Sequence, residues 1–340
     1  MRRARWSTTA RWGSLGMMFL ALGWAGLIAP VSPSSSAAEK DGKGADLPKP
    51  ENETLTTDDG GSLHITYYKS LLEENSPVVV LLHMKDGNRF VWQGDKGFAQ
   101  RLQREGYAVI TVDLRFHGES KFGGAPAATN VNQGAGKKKD KKKAGIDLHP
   151  ADLVAMVEYD MEAVKAFIKE EHQAKRLNMT KMGIVGPEMG ASVAVAYAAL
   201  DWSKEPYDDA QPGFQTPRGQ DVRALVLISP QEKFKSMAMA RVITQLKDPD
   251  LNIAFLICSG TEPTDKKESE KIFDMVVKPD INKNRMFLKT YAAKTTGTNL
   301  LDKSLGIEDY MLAFFEKQLK NIEIPWRDRR SKRDKLDKKK

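Results

Sequence analysis

The chain has 340 residues, 53 Lys and Arg against 45 Asp and Glu, a formal charge of +8 and a single cysteine, Cys258. That length admits one large domain or two modest ones, and one cysteine excludes a fold held by internal disulfides. The charge is concentrated: the arginines of residues 1–38 carry +4, Lys137–Lys143 carries +5 and Arg327–Lys340 carries +6, which leaves −7 for the rest. A nucleic-acid-binding domain carries its basic patch on folded surface, so specific nucleic-acid binding is not expected.

Residues 1–38 read as a signal peptide. Arg2, Arg3, Arg5 and Arg11 form a cationic start, an apolar stretch runs from Leu15 to Ala29, and Ser36-Ala37-Ala38 offers a small-x-small cleavage site. The apolar stretch is too short for a membrane span. The expectation is an exported protein, periplasmic or extracellular, with no membrane span after cleavage. Residues 39–50 are polar, contain Gly and Pro, and read as a linker.

Residues 51–322 carry the pattern of a folded domain. Leu63–Tyr68 alternates apolar and polar residues behind the Asp59-Gly60-Gly61 turn, as an edge strand or hairpin arm would. Val78–His83 is a continuous apolar run, the mark of a strand buried on both faces. Phe98–Glu105 predicts a helix stopped by Gly106, and Tyr107–Leu114 a second buried strand. Residues 122–148 lack periodicity, hold the lysine block and read as a disordered surface insertion. Asp152–His172 then shows a helical apolar stripe. Lys181–Val185, Val222–Ile228, Asn252–Cys258 and Arg285–Tyr291 predict strands. They alternate with helices at Met189–Leu200, Phe234–Leu246, Asp265–Val277 and Ile307–Leu319. Such alternation predicts an α/β fold, a mostly parallel sheet with helices on both faces. Residues 323–340 read as a basic tail; a run of like charges usually stays solvated.

Two motifs carry a resemblance. Gly186-Pro187-Glu188-Met189-Gly190 lies between a strand and an Ala-rich helix, where G-x-S-x-G forms a nucleophile elbow. Asp113-Leu114-Arg115-Phe116-His117-Gly118-Glu119-Ser120 is similar to the D-x-R-G-H-G-x-S turn, and Val78–His83 to the strand that leads into a His-Gly loop. Together they resemble the α/β-hydrolase family over roughly residues 60 to 320, in the compact esterase and dienelactone-hydrolase manner, without a large cap domain.

That resemblance implies a site and shows it altered. In such proteins a serine attacks an acyl carbonyl, a histidine takes its proton and an acid orients the histidine. Glu188 stands in the serine position, Thr296 in the histidine position and Pro263 in the acid position, with Glu262 and Asp265 flanking it. No histidine follows His172. The backbone amides of Met84 and Met189 are the implied oxyanion donors, and His83, Lys85 and Glu188 the implied pocket. Glu188 at a helix N-terminus could instead fold its carboxylate onto free amides. No cofactor is implied, and no metal, because no ligand cluster accompanies Glu188.

Three functions follow as expectations. The first is an inactive hydrolase-fold protein retained to bind an unknown small molecule or for structure. The second is a hydrolase of ester or amide bonds with an unconventional site around Glu188. The third is an envelope or polyanion-associated protein making weak contacts through the basic insertion and tail. Among the remaining histidines, His83 and His117 are expected to shape loops, His64 to be exposed, His149 to border the insertion and His172 to end a helix.

Overall fold

In the computed structural model, Val78–Leu81 is buried at every residue, with Val78 and Val80 packed on one side and Val79 and Leu81 on the other. This is the consequence of a continuous apolar run: successive side chains point to opposite faces, so both faces need a cover. The described residues are 46–94, 97–120, 122, 145–278 and 280–333. The signal-peptide reading, most of the insertion and residues 334–340 fall outside them.

The strands are β1 (Glu51–Thr56), β2 (Ser62–Tyr68), β3 (Pro77–Leu81), β4 (Ala108–Val112), β5 (Asn178–Pro187), β6 (Val222–Ile228), a small hairpin of β7 (Lys233–Phe234) and β8 (Met237–Ala238), β9 (Ala254–Ser259) and β10 (Met286–Thr290). Eight of them form one sheet in the order β1-β2-β4-β3-β5-β6-β9-β10. The β1–β2 and β2–β4 pairs are antiparallel and the others are parallel. The helices are α1 (Phe98–Arg104), α2 (Pro150–Ala155), α3 (Met161–Gln173), α4 (Met189–Ser203), α5 (Met239–Leu246), α6 (Pro263–Val276) and α7 (Ile307–Phe315). Leu153, Val164, Val195, Ile243 and Ile272 bring α2 to α6 onto one face. Phe98, Leu102, Met311 and Phe315 bring α1 and α7 onto the other.

Four details differ from the sequence reading. Glu51–Thr56 forms an edge strand where the sequence reading assigns no element; four of its six residues are exposed, so no apolar run announces it. The helix expected from Asp152 is interrupted by a π turn at Met156–Asp160, which aims the buried Asp160 carboxylate at the Arg115 guanidinium at 2.7 Å. Residues 234–238 belong to the β7–β8 hairpin before α5 begins.

The fourth is the presumed tail. Residues 323–333 lie against the body: Trp326 stacks on His172 with ring centroids 5.0 Å apart, and Asn178 Nδ2 donates to Ile324 O at 3.0 Å. Arg329 inserts into a buried network. Its Nη1 and Nη2 reach the two Asp221 oxygens at 2.5 and 3.0 Å, and Lys165 Nζ bridges Asp221 and Asp201 at 2.6 and 2.5 Å. A charge run stays in water only when it lacks buried counter-charges, and here Asp221 supplies one.

Candidate active site

The chain turns from β5 into α4 at Glu188, whose φ of 46° and ψ of −107° are strained for a residue with a side chain. Two glycines permit it. A Cβ at Gly186 would stand 2.2 Å from Gly190 O, and one at Gly190 would stand 2.8 Å from His83 O. The turn is tied down by Glu188 N donating to Ile228 O at 2.8 Å. This geometry lifts the Glu188 side chain above the C-terminal ends of the parallel strands, where open α/β sheets place ligands.

The half-buried Glu188 carboxylate meets the other altered position. Thr296 Oγ1 donates to Glu188 Oε1 at 2.9 Å. The next residue, Gly297, has φ +57°, and a Cβ there would be 2.7 Å from the same oxygen and 2.9 Å from Met84 Sδ. Thr298 Oγ1 contacts that sulfur at 3.4 Å. The loop after β10 therefore closes tightly over Glu188 and Met84. The carboxylate does not cap α4, contrary to the expectation that it would fold onto the helix amides. The Thr296 hydroxyl is the donor it takes instead. Met189 opens α4, and the Met84 sulfur and the Glu188 carboxylate both lie against Gly297.

The implied acid position does not reach the pocket. Pro263 opens α6 and does not line the pocket, whereas Asp265, two residues on, does. Asp265 Oδ2 accepts from Gly260 N at 2.8 Å and from Ser229 Oγ at 3.1 Å. Ser229 Oγ in turn accepts from Gly297 N at 2.8 Å. A chain of hydrogen bonds thus runs from the acid through Ser229 to the loop that holds Thr296. Ser229 was not foreseen; its place directly after β6, before Pro230, was the available signal.

These groups enclose a pocket of about 110 Å³ lined by Glu188, Ser229, Glu262, Asp265, Glu268 and Thr296 among others. Four carboxylates face it, and among the lining residues there is no Lys, Arg or His. Burial raises the Asp265 pKa above its ordinary 3.8, and the neighbouring Glu262 and Glu188 charges add to the rise. Stability from a carboxyl whose folded pKa is raised is fully present below the unfolded value and is lost as pH rises through the folded one. Asp265→Asn should therefore melt no lower than the parent at neutral pH, and its advantage should shrink between about pH 7 and pH 4. Thermal melts across that range test it; a variant less stable at neutral pH would contradict the assignment.

The histidines stand elsewhere. His83 is fully buried: Nδ1 faces Met84 O at 2.7 Å and Nε2 faces Leu114 N at 3.1 Å. A carbonyl only accepts and an amide only donates, so the ring is neutral with its proton on Nδ1. Burial, then the neighbouring His117, pushes its pKa down to about 3. His117 binds Arg115 O through Nδ1 at 2.8 Å, and its ring centroid lies 4.6 Å from that of His83. Both rings brace the turns beside the site. Lys85 pairs with Asp86 at 2.9 Å; neither it nor His83 lines the Glu188 pocket. His149 N is bound by Asp152 at the start of α2, and His172 Nε2 faces Arg327 O at 2.8 Å. Arg89 is buried against Asp113, whose second role is to accept from Glu119 N at 2.9 Å.

No group of His, Cys, Asp and Glu among the described residues could hold a metal ion, and none of their helices is long and apolar enough to cross a membrane.

No family model matches the chain, and no curated protein is similar to it in sequence. Solved structures are similar in fold. An esterase from Pyrococcus furiosus superposes with a TM-score of 0.54 at 13% identity, covering 80% of this chain and 92% of that one. A hypothetical protein from Pseudomonas aeruginosa gives 0.52 at 13% identity, covering 81% and 95%. The acylaminoacyl peptidase from Pyrococcus horikoshii gives 0.52 at 12% identity, covering 83% of this chain and 44% of that one. The chain has the α/β-hydrolase fold, as the motifs around residues 83, 113 and 188 implied.

Proposed function

We propose that this α/β-hydrolase fold belongs to an exported protein that has lost hydrolytic chemistry and serves in binding or structure. The observation that carries the proposal is the 2.9 Å contact between Thr296 and Glu188. It joins the nucleophile and base positions through two side chains that cannot do that work. A threonine hydroxyl has no imidazole nitrogen to accept a proton near neutral pH. Among the residues lining the pocket no imidazole stands beside Glu188 to activate the water that would cleave an acyl-enzyme. An oxyanion would also develop beside Glu188, Glu262, Asp265 and Glu268, and like charges destabilise it where a preorganised hole would stabilise it. The volume of about 110 Å³ suits a ligand of a few heavy atoms. Export rests on the features of residues 1–38.

One competing reading has an observation behind it. The strained elbow at Glu188 is retained, which favours an ester or amide hydrolase working through that carboxylate. Purified protein treated with activated acyl esters and a serine-reactive phosphonate separates the two. The expected result is no labelling and no saturable turnover, with Glu188→Gln indistinguishable from the parent. Saturable turnover abolished by Glu188→Gln would establish the hydrolase instead.

A further inference from the structure

The end of the sheet opposite Glu188 carries a second, larger cleft. It has a volume of about 640 Å³ and lies between the loop 213–220, the start of β6 and the segment 323–329. We propose that this cleft binds a phosphate-type oxyanion through Arg223 and Arg327, independently of the elbow site.

Arg223, the second residue of β6, is half-buried, with its guanidinium 4.8 Å from the Trp202 ring centroid. Its Nη1 reaches only Leu251 O at 3.4 Å, and its buried Nε has no partner. No carboxylate forms an ion pair with it among the described residues. Burial pushes its pKa below the ordinary guanidinium value, while Asp221 and Asp201 act in the opposite direction. That Nε is closed off from the cleft, but Arg223 lines the cleft half-buried and without a carboxylate partner, so its guanidinium charge is available to an acceptor there. Arg327 is exposed on the same cleft, and its backbone is fixed by the contact of His172 Nε2 with Arg327 O at 2.8 Å.

The other charges in the cleft are accounted for. Arg329 is neutralised by Asp221 and Asp328 is engaged by Arg330 at 2.6 Å. Glu323 is the remaining carboxylate on the lining and disfavours an anion at its own end. Polyanion contact was expected from a loose basic tail. The folded segment 323–333 instead places Arg327 on the lining of the same cleft as Arg223, and guanidinium groups are the usual side chains for phosphate recognition.

The test uses the full chain and inorganic phosphate, followed by calorimetry and by tryptophan fluorescence, with potassium chloride at equal ionic strength as control. Saturable binding is expected. The double variant Arg223→Gln, Arg327→Gln should weaken it by roughly tenfold or more. Arg327→Gln alone, at an exposed position, should weaken it without changing the melting temperature, while Arg330→Gln should leave affinity unchanged. Absence of saturable binding, or affinity unaltered in the double variant, would overturn the proposal. A second titration with short polyphosphate locates the source of any polymer affinity. Binding that survives the double variant would place it on the basic segments and would likewise overturn the cleft.

Discussion

The double variant Glu188→Ser, Thr296→His is expected to hydrolyse activated acyl esters about 10²–10⁴ times faster than Glu188→Ser alone, the usual contribution of a positioned general base. The expectation rests on what is still in place. The Glu188 backbone holds the elbow conformation, so a serine there would be presented as a nucleophile. Thr296 already touches the side chain at that position. Asp265 lies one hydroxyl away, through Ser229, from the loop that would carry the new imidazole. Asp265→Asn in the double-variant background should then lower turnover again, because nothing would fix the tautomer of the histidine. Rates from initial-velocity assays decide it. If Glu188→Ser alone matched the double variant, some other base would be operating and the account of the site would be wrong.

The largest expected effect on stability lies far from that pocket. Asp221→Ala should lower stability by roughly 3–5 kcal/mol, the loss typical of removing one partner from a buried ionic group. Asp221 accepts from both Arg329 and Lys165, and the side chains of all three are almost wholly buried. Its removal leaves Lys165 with Asp201 alone and Arg329 with the carbonyls of Pro217 and Gly219. A fall in melting temperature of about 10 °C is expected for a unit of this size. Early proteolytic release of the segment holding Trp326 and Arg329 should accompany it. A fall of only a degree or two, with the segment still protected, would mean that the network contributes little.

How much of this was legible follows from how locally each feature is determined. The strands β3, β4, β5, β6 and β9 announce themselves because burial on both faces demands continuous apolar runs, and every residue of β3, β4, β5 and β9 except Lys181 is buried. The polar β1 gave no such signal, since its outer side has no partner strand. The folded C-terminal segment was illegible for a different reason. Arg329 finds Asp221 across 108 positions of chain, and no local pattern reveals a partner so distant.

The site divides in the same way. Glu188 and Thr296 were placed by the motifs around them, and the fold brings them into contact. Asp265 was legible only as a flank of Pro263, because its inward turn depends on Pro263 beginning α6. Ser229 belongs to no motif, and its role exists only once Gly297 and Asp265 converge on it.

The central claim, that Glu188 does no covalent chemistry, has one direct measurement. The protein is incubated with an activated acyl ester in ¹⁸O-labelled water, and the peptide containing Glu188 is then weighed by mass spectrometry. A carboxylate that attacks the ester expels the alcohol and forms a mixed anhydride, and over repeated turnovers water attacking its glutamyl carbonyl leaves the heavy isotope on Glu188. The account predicts an unchanged peptide mass after prolonged exposure. Incorporation of label at Glu188, absent when the ester is omitted, would contradict it.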